Sequence, residues 1–211
     1  MQNKEEQLNS LNDIRNLMQS SARFSAFNGL SVLSAGIIAI IGCIIVSMKL
    51  NIGIFEQSKS IELITTTPNK EVLYFLVSAA LGVFLCALIA AFYFVGKKAR
   101  IINMKLMGIS GKNFIFNHTL FLVVGGLFCT ILIYYGIYFL VVPSLLIFYG
   151  LGLINVSKFS LNTIRNLGII EIALGITLAM IPSYALMFFM LGFGVMHVIY
   201  GLILHFNYDK K

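Results

Sequence analysis

Apolar residues run along this chain in long blocks broken by short polar stretches. A run of about 20 apolar residues is what a helix needs to cross a bilayer. Six blocks reach or approach that length, at roughly 24–48, 72–95, 115–135, 137–156, 164–181 and 184–204. Ahead of them, Leu8, Leu11, Ile14, Leu17/Met18 and Ala22 recur at steps of three and four in an otherwise polar segment. That spacing predicts an amphipathic helix over 1–22, lying at the membrane interface. The pattern as a whole predicts an all-α polytopic membrane protein. A single six-helix transmembrane domain spans 23–211, with six transmembrane helices arranged as three helical hairpins. One longer loop at 49–70 and one basic loop at 96–113 interrupt otherwise short connections, and short connections favour antiparallel neighbours.

Composition agrees with this picture. Hydrophobic residues make up 59% of the 211, charged residues 11%. Soluble domains carry about 25% charged residues. The first apolar block is longer than a signal-peptide core of about 7–15 residues, and Glu5, Glu6 and Asp13 precede it, so it reads as a retained helix. The net charge of +7 is distributed asymmetrically. Of 15 Lys and Arg, only Lys49, Lys59 and Lys70 fall on the side of the 49–70 loop; the other twelve fall on the opposite side. The positive-inside rule then places both termini and the 96–113 loop in the cytoplasm. The charge is explained by topology and by anionic lipid. It does not call for nucleic acid.

Short phrases recur. "SLNDIRNL" at 10–17 and "SLNTIRNL" at 160–167 both sit on the expected inner face, where Ser10 and Ser160 are placed to cap a helix. Thr67 and Pro68 similarly suit the start of the second span. Spans 4 and 6 each carry Pro-Ser (Pro143, Pro182) near the outer end, followed by "GLGLIN" (150–155) or "GFGVMH" (192–197). This predicts that spans 3–4 and 5–6 repeat one hairpin, with spans 1–2 a more diverged copy.

Small residues form ladders. Ser31, Ala35, Ala39, Cys43 and Ser47 step by four along span 1; Ser78, Gly82, Cys86 and Ala90 do so along span 2. Both are expected at close helix contacts. The three cysteines, Cys43, Cys86 and Cys129, lie inside spans and read as small packing residues.

The candidate chemistry is confined to spans 5 and 6. Gly168-x-x-Glu171-x-x-x-Gly175 and Gly194-x-x-His197-x-x-x-Gly201 each set one ionisable group between two glycines on a helical face. A charge at the bilayer centre costs at least about 2.5–3.5 kcal/mol, so such residues are functional candidates by default. The expectation is that Glu171 and His197 meet on the inner half, with the four glycines permitting the approach. Asn155, Asn28, Tyr149 and Tyr200 are candidates to join them. Two readings stay open: a structural lock between helices, or an ion or proton site. No catalytic motif and no paired-His metal motif appears, and no cofactor is implied. The glycine phrases are not dinucleotide fingerprints, because no strand precedes them.

The stretches "LIFYGLGLINVSKFSLNTIRNLGIIEIALGI" (146–176), "LGFGVMHVIYGLILHFNYDKK" (191–211) and "SLNDIRNLMQSSARFSAFNGLSVLSAGI" (10–37) resemble a family of uncharacterised six-helix inner-membrane proteins common in Bacteroidota. The short hairpins with outer prolines are also similar to HdeD-like membrane proteins. The basic loop at 97–113 departs from the family pattern. The resemblance implies the fold, the bacterial inner membrane and cytoplasmic termini, but no activity. Two functions follow as expectations. The first is a non-enzymatic protein that packs with itself or a membrane partner. The second is a small transporter or channel-like protein with a proton- or cation-linked Glu171–His197 site.

Overall fold

The computed structural model describes residues 28–56, 69–102, 108–160 and 162–209. The amphipathic segment expected over 1–22, Ser10, Thr67 and Pro68 lie outside the described residues. Those described are helical, with no strand among them. The long helices are α1 (Gly29–Leu50), α2 (Lys70–Ile101), α3 (Ile109–Tyr134), α4 (Val141–Val156) and α5 (Asn162–Met180). The last span is composite. A 3-10 turn from Pro182 leads into α6 (Ala185–Phe189), a π-helical stretch (Met190–Met196), α7 (His197–Leu204) and a second π-helical stretch (His205–Asp209). Six helical segments are long and apolar enough to cross a membrane, the sixth being Pro182–Asn207. They coincide with the six predicted blocks, as an integral membrane protein requires.

The helix ends have local causes. Asn28 caps α1, its Oδ1 accepting from the Ser31 N–H at 2.9 Å, and Asn51 ends the helix in the left-handed conformation. Gly136 (φ +73°) makes the tight link from α3 toward α4. Pro143 stands in the first turn of α4, where its missing N–H costs nothing. The helix α2 begins at Lys70 with Asn69 before it. The Ser160 hydroxyl is buried and finds no partner among the described residues, so the cap predicted there is not made.

Two apolar clusters organise the bundle. At the basic end, Val32, Ala99, Phe114, Leu153, Val156, Ile164, Leu167 and Leu204 form one core to which every span contributes. Toward the other end, Leu146, Leu178 and Phe188 gather only spans 4, 5 and 6. The closest helix pair is α4 with α5; α4 also packs on α3, and α1 packs on both α2 and the sixth span. The sixth span leans mainly on α1 and touches α5 less.

The crossings explain the glycines. A Cβ on Gly150 would stand 2.6 Å from the Gly168 carbonyl oxygen, and one on Gly168 would stand 2.7 Å from that of Gly150. The backbones of α4 and α5 therefore touch there, which only glycine allows. Gly175 meets the Pro143 carbonyl in the same interface. Gly201 lies against the Leu33 backbone and Gly194 against Ile40, both in α1. So the four glycines expected between spans 5 and 6 serve two other interfaces, α4–α5 and α1–span 6. The physical reason is that each glycine marks a close approach without naming the neighbour.

The two ladders also part company. On α1, Ser31, Ala39 and Cys43 are buried and Ala35 half-buried. On α2, Ser78, Gly82 and Cys86 are exposed, and nothing lies within 4 Å of a Cβ placed at Gly82. The expected packing role of Gly82 is thus not filled within the described chain. Instead Val83 turns inward, its Cγ2 pressed on the spot where Gly42 lacks a side chain. Ala99 is the one buried residue of α2.

Candidate functional site

Glu171 stands nine residues from either end of α5 (Asn162–Met180), midway along the helix rather than on its inner half. It is 0% exposed, and His197 is 3% exposed. His197 Nδ1 and Glu171 Oε1 are 3.5 Å apart. The predicted meeting of the two spans therefore occurs, but at a distance longer than a good hydrogen bond. The carboxyl oxygens of Glu171 make no hydrogen bond among the described residues.

His197 is held by other groups. Its Nε2 lies 2.7 Å from the Tyr149 hydroxyl of α4. Its Nδ1 lies 3.0 Å from the Gly192 carbonyl oxygen. A carbonyl oxygen only accepts, so Nδ1 carries the proton; in the neutral ring Nε2 then accepts from the Tyr149 O–H. One tautomer is thus selected by two neighbours. Phe193 and Tyr149 line the ring, with Tyr149–His197 centroids 5.3 Å apart.

Gly192 is the residue that sequence reasoning passed over. A Cβ there would meet Glu171 Oε2 and Leu146 Cδ2, each at 2.6 Å. Its hydrogen in place of a side chain leaves the space that the carboxyl occupies. In an α-helix, positions five apart point about 140° away from one another. The π-helical winding over Met190–Met196 brings positions five apart close together, so the Gly192 carbonyl and the His197 ring meet. Such windings are rare and concentrate at functional sites. The phrase "GFGVMH" held the signal, but only if read with the π spacing.

The remaining candidates divide. Tyr149 belongs to the site. Asn155 does not bond to His197; its amide donates to the Asn117 Oδ1 of α3 at 3.1 Å. Asn28 caps α1 and donates from Nδ2 to the Phe94 carbonyl of α2 at 3.3 Å, clamping those two helices. Tyr200 packs on the core at the basic end. His118 of α3, absent from the predicted set, sets its ring edge-on to Tyr149 with centroids 5.7 Å apart, and its Nδ1 is buried without a partner among the described residues. Cys43 and Cys129 are buried as expected of packing residues, whereas Cys86 is exposed. Among the described residues no three His, Cys, Asp or Glu side chains converge as a metal site would need.

The site is therefore a buried row across three spans: Glu171 from α5, His197 from the sixth span and Tyr149 from α4. It lies between the two apolar clusters, since Tyr149 packs on one and Leu146, beside Glu171, belongs to the other. No protein family, curated protein or solved structure matches the chain.

Proposed function

We propose that this is a non-enzymatic multi-pass protein of the bacterial inner membrane, built as a small transporter or channel-like protein around a proton- or cation-linked site at Glu171. The observation that carries this reading is a buried carboxyl that accepts no hydrogen bond among the described residues. A carboxyl kept only to lock two helices would be bonded, because leaving a buried polar group unmade costs about 1–3 kcal/mol. Here the lock belongs to His197, Tyr149 and Gly192, and the carboxyl is left for a positively charged species. The charge asymmetry supports cytoplasmic termini, the stretches at 10–37, 146–176 and 191–211 support membership of the six-helix Bacteroidota family, and the recurring phrases support a diverged hairpin repeat.

The test is reconstitution in liposomes with a pH-sensitive dye inside and an imposed proton, sodium or potassium gradient. Flux should follow one of these gradients and fall to the empty-liposome level in Glu171→Gln. Equal flux from both proteins rejects the reading.

A second reading, packing with itself or a membrane partner, is favoured by a different observation. Along α2 the open face carries Ser78, Gly82 and Cys86, and α1 is its chief neighbour. Oxidative cross-linking in native membranes addresses it: a disulfide-linked species should form through Cys86 and disappear in Cys86→Ser. A chain that stays single under oxidation argues against self-packing through this face.

A further inference from the structure

We propose that the species bound at Glu171 is a proton, and that it reaches the carboxyl through Tyr149 and His197. This rests on the ion-linked reading above and narrows it. The surroundings are too tight and too poor in oxygen for a metal cation. Hard cations take six or more oxygen ligands. Among the described residues the oxygens around this row are the Gly192 carbonyl and the Tyr149 hydroxyl, both already bonded to His197, and Leu146 Cδ2 borders the same space beside Gly192 that Glu171 Oε2 borders. A proton needs no such room.

The geometry supplies the route. Among the described residues, the titratable groups near the carboxyl on the elements packed on α5 are His197 from the sixth span, 3.5 Å away, and Tyr149 from α4, bonded to the far nitrogen of that ring; His118 of α3 stands behind Tyr149. At the start Glu171 is a carboxylate, His197 carries its proton on Nδ1, and the Tyr149 O–H donates to Nε2. A proton arriving at the Tyr149 oxygen displaces that hydroxyl's own proton onto Nε2. The ring then releases its Nδ1 proton to Oε1, 3.5 Å away. One proton has entered and one now sits on Glu171; Tyr149 and His197 are neutral again. The bonding has changed. His197 donates from Nε2 to the Tyr149 oxygen, and the Glu171 O–H donates to the bare Nδ1. The carboxyl that lacked a partner gains one as the two groups close from 3.5 Å to hydrogen-bond distance. The Gly192 carbonyl has lost its side-chain donor, because Nδ1 and a carbonyl oxygen both accept. Proton occupancy at Glu171 is therefore read out at the π-helical stretch of the sixth span.

The experiment uses the full chain in liposomes. Histidine labelled with ¹⁵N reports the tautomer of each ring, and glutamate labelled at the carboxyl with ¹³C reports its protonation by infrared difference spectra. As pH is lowered, His197 should pass from the Nδ1–H to the Nε2–H form over the range in which one solvent-protected carboxyl gains its proton. Both changes should vanish in Glu171→Gln. In Tyr149→Phe the carboxyl should still fill, but about a hundredfold more slowly after a pH jump, as for loss of a positioned proton donor. Should that variant fill at the wild-type rate, the route is wrong. If sodium or potassium rather than pH shifts the carboxyl signal, the proton is wrong and the ion-linked reading stands. If neither ions nor pH move it, both fall. The wild-type spectra decide among these outcomes even if Glu171→Gln does not fold.

Discussion

Helices α1 and α2 carry small residues at the same spacing of four, and the protein uses them in opposite ways. On α1 the stripe is buried, with neighbours on two sides: α2 across Gly42 and the sixth span across Gly36. On α2 the stripe is open, and the helix meets α1 through Val83, which fills the space at Gly42. The difference teaches that small-residue spacing describes a surface suited to close approach and nothing more. Whether a helix sits there depends on the order in which spans pack. Helix α1 is central because Asn28 ties it to Phe94 while Gly29 and Gly36 bring it against the sixth span. Helix α2 is peripheral, meeting the shared core only where Ala99 and Val95 join it.

The largest effect that separates the two surfaces is expected at backbone contacts. Gly168→Ala would drive a methyl into the Gly150 carbonyl and the Leu153 Cβ, and Gly201→Ala would drive one into the Leu33 backbone. Backbone cannot rotate aside, so each change should lower stability in detergent by about 3 kcal/mol, at the upper end of overpacking costs. Thermal unfolding followed by circular dichroism reads this directly. A small shift for either variant would mean that the crossing is looser than described.

Gly192→Ala should cost less, about 1 kcal/mol, because the atoms in its way are the ends of two side chains, Glu171 and Leu146, which can turn. Its sharper consequence is chemical: the Glu171 carboxyl must move, so any ion-dependent flux should fall by more than the stability loss explains. A variant that is destabilised yet transports normally would separate Gly192 from the site.

Much of this was legible in the chain. The six apolar blocks fixed the spans to within a few residues at most ends, because a bilayer demands length and apolarity that nothing else in a sequence imitates. The convergence of Glu171 and His197 was legible too, since intramembrane ionisable groups seldom stay alone. What was not legible depends on which neighbour a helix chooses. Asn155 occupies the position that the repeat matched to His197, yet it bonds to Asn117, because α3 rather than the sixth span runs beside it. Gly192 escaped because the α-helical period points it away from His197, and the π-helical turn that unites them is set by tertiary packing.

Smaller still is the coupling inside the polar row. A double-mutant cycle on Tyr149→Phe and His197→Ala should give about 0.6 kcal/mol, the average for hydrogen bonds between membrane helices. The cycle on Glu171→Gln and His197→Ala should give less, since 3.5 Å separates that pair. The reverse order would mean that the carboxyl, not the hydroxyl, holds the ring.

The smallest effect is expected at Gly82, and it sharpens the opening contrast most. A methyl there meets nothing within 4 Å among the described residues. With no clash, two terms remain. Alanine favours the helix over glycine by up to about 1 kcal/mol in water. Inside a bilayer that preference is weaker, because the unfolded backbone has no water to bond with and the helix is already the favoured form. The net change in the isolated protein should therefore lie within about 0.5 kcal/mol, as for surface substitutions away from special features. The same measurement in native membranes tests the comparison itself. If Gly82→Ala is neutral in both settings, lipid covers α2 and its stripe is simply open. If it is neutral in detergent but weakens the Cys86 cross-link in membranes, a second helix lies against α2 there. The two stripes would then be alike in use, with α1 packed inside the chain and α2 packed outside it.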